Sequence, residues 1–296
     1  MNPFADTAWL RATVETATFV RKPMSISPRL RVVAAEPPEL VVYDEPGPCS
    51  YLSDQTWRLP LRLPVRMLTR AEFGRRLEEG DRRQGRLLYR TACPRCRACE
   101  PIRIDVDAFR PSKSQRRTFR RGERRITTEL GPIGVSPDRV ALYNRHKQGR
   151  DLAGGEGSAG VESYRSFLGE TCCDTFEMRY RVDGALMGIA IVDRADNALS
   201  AVYFYWDPEH RELGPGTYSI LKQMDLCRRL GLRYLYLGLY IASCDPMTYK
   251  SRFLPHERLI GRTWTRFTQP DATSNPPKSD AVPALGVDTE PRTRQR

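Results

Sequence analysis

The sequence lacks any hydrophobic run long enough to cross a membrane. Its longest nearly unbroken apolar stretch, Tyr234 to Ala242, is about half the length that a bilayer span requires. The beginning of the chain also lacks the apolar segment that is typical of a signal peptide. Both absences predict a cytoplasmic protein without a membrane partner. Of the 296 residues, 40% are hydrophobic, which is enough to build a substantial core.

The sequence also lacks the spacings of familiar DNA-binding motifs, such as the helix-turn-helix and the zinc finger. Acidic residues are scarce relative to basic ones, 36 against 48, so the net charge is +12. Such an excess of arginine and lysine favours a polyanionic partner. Because no motif for reading DNA bases is present, we expect a structured RNA, read through shape and phosphate, and not DNA.

Both ends of the chain lack an apolar repeat. Residues 1–41 are predicted to be a variable extension, and residues 269–296, rich in Pro, Thr, Ser and Asp, a disordered tail. Between them, we predict a smaller N-terminal α/β domain over 42–130, with a cysteine-rich loop and a basic helix. A second domain is predicted over 131–268.

The second domain reads as an α+β fold with a mainly antiparallel sheet. Phe176–Val182, Leu186–Val192 and Ser200–Trp206 predict three antiparallel strands, with an Asp-Gly turn after the first. A helix follows from Gly214 to about Arg229, and then a strand over Leu232–Ile241, apolar enough to be buried on both faces. A final strand is predicted over 258–267. A meander, a glycine-opened helix and a buried strand are central parts of the acetyltransferase-like (GNAT) fold.

A dense cluster of basic residues lies on or next to a helix predicted over 112–125. A separate helix is predicted earlier in the chain, where Thr69 and Glu72 form a capping-box pattern. Like charges at a spacing of four residues repel each other, and nucleic-acid phosphate would relieve that repulsion. The alternative interpretation is a solvated basic face. The basic residues are Arg110, Lys113, Arg116, Arg117, Arg120, Arg121, Arg124 and Arg125, opposed only by Glu123.

A short glycine loop and a cysteine run are two further candidate sites. The free N–H groups of a helix that begins at Gly214–Tyr218 can bind a phosphate or a carbonyl oxygen, although such loops are often only turns. The spacing C-x-x-C-x-x-C suits one zinc ion or iron–sulfur cluster, and buried free cysteine is the alternative. The candidate metal ligands are Cys49, Cys93, Cys96 and Cys99.

Several segments of the core, in order along the chain, resemble the arginyl-tRNA–protein transferase family. They are most similar to its bacterial branch, the aspartate/glutamate leucyltransferases, and the likeness covers about 42–267. The matching segments are Cys49–Leu52, Tyr89–Ile104, Phe109–Arg117, Asn144–Lys147, Leu213–Tyr218, Tyr234–Ile241 and Met247–Phe253.

The resemblance implies a GNAT-like catalytic domain that transfers leucine from leucyl-tRNA to proteins beginning with Asp or Glu, which marks them for the N-degron degradation route. No cofactor is required for this chemistry. The family's eukaryotic branch holds an iron–sulfur cluster with a C-x-x-C pair and a C-C pair. Here Leu52 and Ala92 occupy two of those four positions, so half of the ligand set is missing.

Roles for individual residues follow from this resemblance as hypotheses. Asp207 or Tyr205 would accept the proton of the attacking amine. Two sets of residues are then expected to bind the substrates. Aminoacyl-tRNA would contact Lys113, Arg116, Arg117, Arg120, Arg121, Gly214, Gly216, Thr217 and Tyr218, and the acceptor carboxylate Ser112, Lys113, Gln115, Arg116 and Lys250.

Three alternatives remain open at the level of sequence. Arginine could be the amino acid transferred, since the donor pocket cannot be read from the residues. An acyl transfer from coenzyme A would need a more basic, more glycine-rich loop than Glu212–Gly216 offers. A non-catalytic RNA-binding protein built on a metal knuckle would leave the glycine loop and the meander without a purpose.

Overall fold

A five-stranded antiparallel sheet is built from the N-terminal part of the chain. The computed structural model describes residues 31–150 and 157–271. The first seven strands are β1 (Arg31–Val33), β2 (Glu39–Tyr43), β3 (Gly47–Pro48), β4 (Thr56–Trp57), β5 (Leu61–Pro64), β6 (Arg82–Gln84) and β7 (Leu87–Tyr89). The sheet has the order β1-β2-β5-β7-β6, whereas β3 and β4 pair with each other as a separate ribbon.

An eight-stranded sheet forms the rest of the described structure. Its strands are β8 (Glu100–Asp105), β9 (Ile126–Pro132), β10 (Thr175–Val182), β11 (Ala185–Arg194), β12 (Ala198–Trp206), β13 (Tyr234–Tyr240), β14 (His256–Ile260) and β15 (Thr263–Phe267). Their order is β15-β14-β8-β13-β12-β11-β10-β9. All neighbours are antiparallel except β12 and β13, which are parallel. This confirms the predicted α+β class with a mainly antiparallel sheet.

Six α-helices connect these strands within the described residues. They are α1 (Arg70–Glu78), α2 (Lys113–Arg125), α3 (Pro137–Gly149), α4 (Val161–Tyr164), α5 (Pro215–Arg229) and α6 (Asp245–Thr248). A π-helical turn covers Arg165–Gly169, and 3₁₀ turns cover Pro208–Leu213 and Tyr249–Arg252. None of the helices in residues 31–150 and 157–271 has the length and apolar character that crossing a bilayer demands.

The meander β10–β11–β12 forms where the sequence predicts it. Asp183 and Gly184 both have positive φ angles, which is the geometry that lets a two-residue turn match the twist of its strands. Along β11, Ile189 and Ile191 belong to one core cluster, whereas Ala190 and Val192 belong to another. Alternate residues thus face opposite sides of the sheet, and both sides are covered.

Two layers cover the larger sheet. On one face, residues of α5 pack on β8, β10, β12 and β13. On the other face, α3 and the five-stranded sheet pack on β11 and β12. A meander, a glycine-opened helix and a parallel return strand thus occur in the order predicted for a GNAT-like domain, and that fold is confirmed.

Two sequence predictions differ from the structure. The single final strand over 258–267 is wrong: β14 and β15 form a hairpin, with Ile260 opposite Thr263 and a left-handed Gly261 in the turn. Residues 31–41, assigned to an extension, contribute β1 and part of β2. Residues 1–30 and 272–296, which hold most of the predicted extension and tail, lie outside the described residues.

The larger sheet splits between its two parallel strands. Only Ala198–Ser200 of β12 pair with Tyr234–Tyr236 of β13, although β12 continues to Trp206 alongside β11. On the other side of the split, β13 has an irregular register against β8 between Tyr236 and Leu239. The carboxyl ends of β12 and β13 therefore separate, and such a crevice is where open α/β sheets bind ligands.

Candidate functional site

The basic helix α2 begins at a capping box. The Oγ of Ser112 accepts a hydrogen bond from the backbone N–H of Gln115, and the Oε1 of Gln115 accepts one from the N–H of Ser112 at 2.8 Å. The side-chain amide of Gln115 also donates to the carbonyl of Arg252 at 3.2 Å. This contact fixes the start of α2 against the 3₁₀ turn Tyr249–Arg252.

The exposed face of α2 is a cationic surface. It borders an open cleft of about 530 Å³ that six basic side chains line: Lys113, Arg117, Arg120, Arg121, Arg124 and Arg125. Glu123, the only acidic residue of the helix, does not neutralise this face, because it is bound by the Tyr218 hydroxyl and the Lys222 ammonium. The positive charge of the cleft is therefore available to an anionic partner. Arg116 is directed elsewhere and donates to the carbonyl of Pro111.

Helix α2 packs directly on the start of α5. The rings of Phe119 and Tyr218 lie 5.9 Å apart, and Tyr218 is buried, so it supports the loop instead of facing solvent. Gly214 has a left-handed φ of 67°, and a Cβ on it would lie 3.1 Å from the Cγ2 of Thr118 and 3.6 Å from Nη2 of Arg121. The structure thus brings the glycine loop and the basic helix together.

The first turn of α5 is open to a ligand. Its N-cap, Gly214, offers no side-chain hydrogen bond to the helix, so the first N–H groups lack the usual internal acceptor. A Cβ on Gly216 would have no atom within 4 Å, and Gly216 and Thr217 are partly exposed. Unsatisfied N–H groups at a helix N-terminus favour an anion or a polarised carbonyl.

The two residues predicted to handle the proton lie at the end of β12, next to the split. Tyr205 is fully buried, and its hydroxyl is 2.5 Å from that of Tyr164. Burial raises the pKa of the Tyr205 phenol far above its usual value, so it stays protonated at neutral pH. Asp207 is partly exposed, accepts from Nε of Arg145 at 2.9 Å and caps the following 3₁₀ turn.

Of the residues predicted to bind the acceptor, Lys250 has a distinctive environment. Its Nζ donates to the carbonyl of Leu239 at 2.5 Å, and burial, with the nearby Arg82 guanidinium, lowers its pKa to about 8. Sequence reasoning missed Arg82, because a charged residue in a short strand gives no local sign of burial. Ser112 and Gln115 are engaged in the cap of α2, whereas Lys113 is exposed on its face.

The four candidate metal-ligating cysteines do not assemble into a metal site. Cys93 is buried, and Cys49, Cys96 and Cys99 are partly exposed. Burial, followed by the neighbouring thiols, raises the pKa of Cys99 to about 12. Within residues 31–150 and 157–271, no three His, Cys, Asp or Glu side chains form a group that could hold one metal ion.

A split sheet, an open glycine-led helix start and an adjoining cationic helix together define a GNAT-like acyltransferase that handles a polyanionic substrate. Comparisons with known proteins give the family. The family description "Arginine-tRNA-protein transferase, N terminus" matches residues 47–117, and "Arginine-tRNA-protein transferase, C terminus" matches residues 138–260.

Two curated relatives extend this match over most of their own length. An aspartate/glutamate leucyltransferase of Chromobacterium violaceum is 37% identical over 219 residues, 74% of this chain and 90% of that protein. An aspartate/glutamate leucyltransferase of Halorhodospira halophila is 36% identical over 218 residues, 73% of this chain and 92% of that protein. This chain belongs to the aspartate/glutamate leucyltransferases of the arginine-tRNA-protein transferase family.

Among solved structures, similarity extends to the C-terminal domain (DUF2156) of a putative lysylphosphatidylglycerol synthetase from Agrobacterium fabrum. It covers 58% of each chain at 14% identity, with a TM-score of 0.40.

Proposed function

We propose that this chain transfers leucine from leucyl-tRNA to the N-terminal amine of proteins that begin with Asp or Glu. The observation that carries this proposal is the packing of the basic helix α2 against the glycine-led start of α5, beside the split in the sheet. A phosphate-binding surface and an acyl-binding helix end thereby share one edge of the fold. The two relatives are aspartate/glutamate leucyltransferases, which supports the choice of leucine and of acidic acceptors.

The tRNA is assigned to the cationic cleft on α2. Its phosphates would contact Lys113, Arg117, Arg120 and Arg121, which point to solvent and have no acidic neighbour on their face. Arg116 does not line this cleft and donates to the carbonyl of Pro111, so no phosphate is assigned to it. The esterified 3′ end would then reach Gly214, which lies directly against Thr118 and Arg121, and the open positions Gly216 and Thr217 that follow it.

The transfer itself needs no cofactor, because the aminoacyl ester is already activated. The neutral α-amine attacks the ester carbonyl, a C–N bond forms, and the C–O bond to the ribose breaks, so that the tRNA leaves as an alcohol. An N-terminal amine has a pKa of about 7.7–8.0, so a useful fraction is neutral. The first N–H groups of α5 would stabilise the oxyanion that develops on the carbonyl oxygen.

Asp207 is our candidate for the group that takes the amine proton. It stands at the carboxyl end of β12, at the rim of the split, and its carboxylate is partly exposed. Arg145 holds the carboxylate in place through one oxygen, and within the described residues the other oxygen accepts only the 3.2 Å bond from the Glu209 N–H. Tyr205 is proposed to position this strand end through Tyr164 and not to accept the proton.

Incubation with labelled aminoacyl-tRNA tests the proposal. We expect label to pass from leucyl-tRNA to a peptide that begins with Asp or Glu, and not to the same peptide with an acetylated N-terminus. A parallel reaction with arginyl-tRNA decides the donor. Transfer from arginyl-tRNA alone would show that arginine, and not leucine, is the amino acid transferred. No transfer from either tRNA would refute the proposed activity. A leucylated N-terminus would then mark the acceptor for degradation.

A further inference from the structure

Two cations lie together beneath the half-exposed bend of β13. Arg82 in β6 is only 5% exposed, and its Nη2 donates to the carbonyl of Gly238 at 2.9 Å. Lys250, on the 3₁₀ turn Tyr249–Arg252, donates to the next carbonyl, that of Leu239. Two successive carbonyls of one strand thus hold two positive side chains that come from different parts of the chain.

Neither cation forms an ion pair among the residues that the structure describes, and the carboxylate of Asp81, which lies near Arg82, is bound by Arg62 and Arg90. The other buried arginines do form ion pairs: Arg83 with Asp193, Arg103 with Glu257 and Arg258 with Glu100. Buried charges in proteins are normally paired, because removal from water is costly. For both side chains, burial lowers the pKa. The groups that surround Lys250 are thiols, those of Cys244 and Cys99, and not acids.

The geometry of β13 leaves space next to Lys250. Gly238 has a positive φ of 79°, and the strand loses its regular register between Tyr236 and Leu239. Gly238 and Leu239 are only partly buried, and a Cβ on Gly238 would meet only the Lys250 Nζ, at 3.9 Å. Lys250 can therefore be approached from the end of the sheet where β12 and β13 separate, with the buried Arg82 next to it. The Nε of Arg82 also lacks a hydrogen-bond acceptor within the described structure.

We infer that Arg82 and Lys250 together bind the side-chain carboxylate of the acceptor's first residue. This rests on the proposed function, which brings an N-terminal Asp or Glu to the same split. One carboxylate would offset one of the two buried charges and accept hydrogen bonds from Nζ of Lys250 and from Nε of Arg82, which has no acceptor within the described structure. The amide of Asn or Gln has the same shape but no charge, so it leaves both cations uncompensated. The site thus selects acids by charge.

A tRNA phosphate is the competing occupant, and the structure favours the carboxylate. Phosphates of a large RNA suit an exposed surface, which α2 already provides. Arg82 and Lys250 instead lie below the strand surface, where a single side chain would reach them.

Lys250→Met tests the inference because it removes one charge and keeps the length of the side chain. We expect kcat/KM for an Asp-initiated peptide to fall roughly 100-fold, mainly through KM for the peptide. The ratio between Asp- and Asn-initiated peptides should collapse towards one, while the Kd for leucyl-tRNA stays at its wild-type value. Lys250→Arg, which keeps the charge, should retain most of the discrimination.

A matched control uses the same substitution at a lysine that already has an acidic partner. Lys222 contacts Glu123 at 2.8 Å, and Lys222→Met should keep the Asp-to-Asn ratio of the wild type. An unchanged ratio in Lys250→Met would overturn the inference. So would a loss of tRNA affinity with discrimination intact, which would assign the pair to a phosphate.

A binding measurement on the wild type separates this inference from the proposed reaction and needs no variant. Without tRNA, a peptide that begins with Asp should raise the melting temperature, and its Asn counterpart should not. Equal effects of the two peptides would refute the carboxylate site even if leucine transfer occurs. Conversely, an Asp-specific shift in an enzyme that transfers no leucine would support the site and refute only the proposed function.

Discussion

Gly122 lies directly against the ring of Tyr218, at the point where α2 crosses α5. A Cβ at position 122 would be 2.2 Å from Cδ2 and 2.3 Å from Cε2 of the ring. The ring cannot retreat easily, because Tyr218 is buried, packs edge-to-face against Tyr180 and donates its hydroxyl to Glu123. The absence of a side chain at Gly122 is therefore what lets the basic helix approach the glycine loop.

Gly122→Ala is expected to destabilise the protein despite the better helix propensity of alanine. Overpacking costs about 1–3 kcal/mol, which exceeds the gain of about 1 kcal/mol from replacing a helical glycine. Gly216→Ala is the control, since a Cβ there meets nothing within 4 Å. Urea unfolding should show a loss for the first variant and none for the second. Equal stabilities would contradict the close packing.

A buried ion pair joins the five-stranded sheet to the larger one. Arg83 in β6 binds Asp193 in β11 through two hydrogen bonds of 2.8 and 2.7 Å, and both side chains are 1% exposed. Asp193→Ala would leave the arginine buried without its partner, so we expect the free energy of unfolding to fall by about 3–5 kcal/mol. Glu162→Ala, which removes an exposed ion pair with Arg165, should have little effect.

If Asp193→Ala unfolds at the same urea concentration as Glu162→Ala, the ion pair does not hold the two sheets together. Circular dichroism at several urea concentrations gives both midpoints from the same preparation.

The sequence correctly predicted those parts of the structure that depend only on interactions between residues close to each other along the chain. The capping box at Thr69 and the Asp183-Gly184 turn need only neighbouring residues, and both are confirmed. The turn at Gly261 was missed, although a glycine within an apolar run often marks a chain reversal. The proximity of Arg82 and Lys250 depends on how two sheets pack, so no pattern along the chain reveals it.

The same distinction applies to the candidate site. Clustering of arginines on α2 follows from helical spacing, and the structure places six basic side chains around one cleft. The burial of Tyr205 is set by its partners Tyr143 and Tyr164, which lie 62 and 41 positions away in the sequence. From its position in an alternating strand alone, Tyr205 could equally have been predicted to face the split in the sheet.

Stability should fall as the pH is lowered below about 6.5, because of a buried neutral histidine. Burial lowers the pKa of His146 to about 4, against about 6.5 in an unfolded chain. Between these values the unfolded state binds more protons, so acid favours unfolding by up to about 1.4 kcal/mol per pH unit for this group. The pKa of His256 is likewise lowered to about 4, so it contributes in the same direction.

Denaturant unfolding at pH 6.5, 5.5 and 4.5 measures this dependence. His146→Gln should make the slope shallower, leaving the contribution of His256. A variant that keeps the full wild-type slope would show that His146 does not titrate in this range.

Three single substitutions distinguish the role of Asp207 from that of Tyr205. Tyr205→Phe removes the bond to Tyr164, so it should lower the free energy of unfolding by about 1 kcal/mol and reduce kcat for leucyl transfer much less than loss of the proton acceptor does. Asp207→Asn should reduce kcat roughly 100-fold, as loss of a proton acceptor does. Arg145→Gln, which removes the ion pair but keeps the carboxylate, should retain more activity. Equal losses in the Asp207 and Arg145 variants would assign the effect to the ion pair.

The cationic face of α2 should control the salt dependence of tRNA binding. Replacing Arg120 and Arg121 with Gln removes two charges that line the cleft, and each lost phosphate contact should lower the slope of log K against log salt by about 1. Arg262→Gln with Arg266→Gln removes the same charge from the exposed β14–β15 hairpin. If binding depends on net charge alone, both double variants will weaken it equally. If tRNA occupies the cleft on α2, only the first pair will change both affinity and slope, because counterions are released only where phosphates and arginines meet.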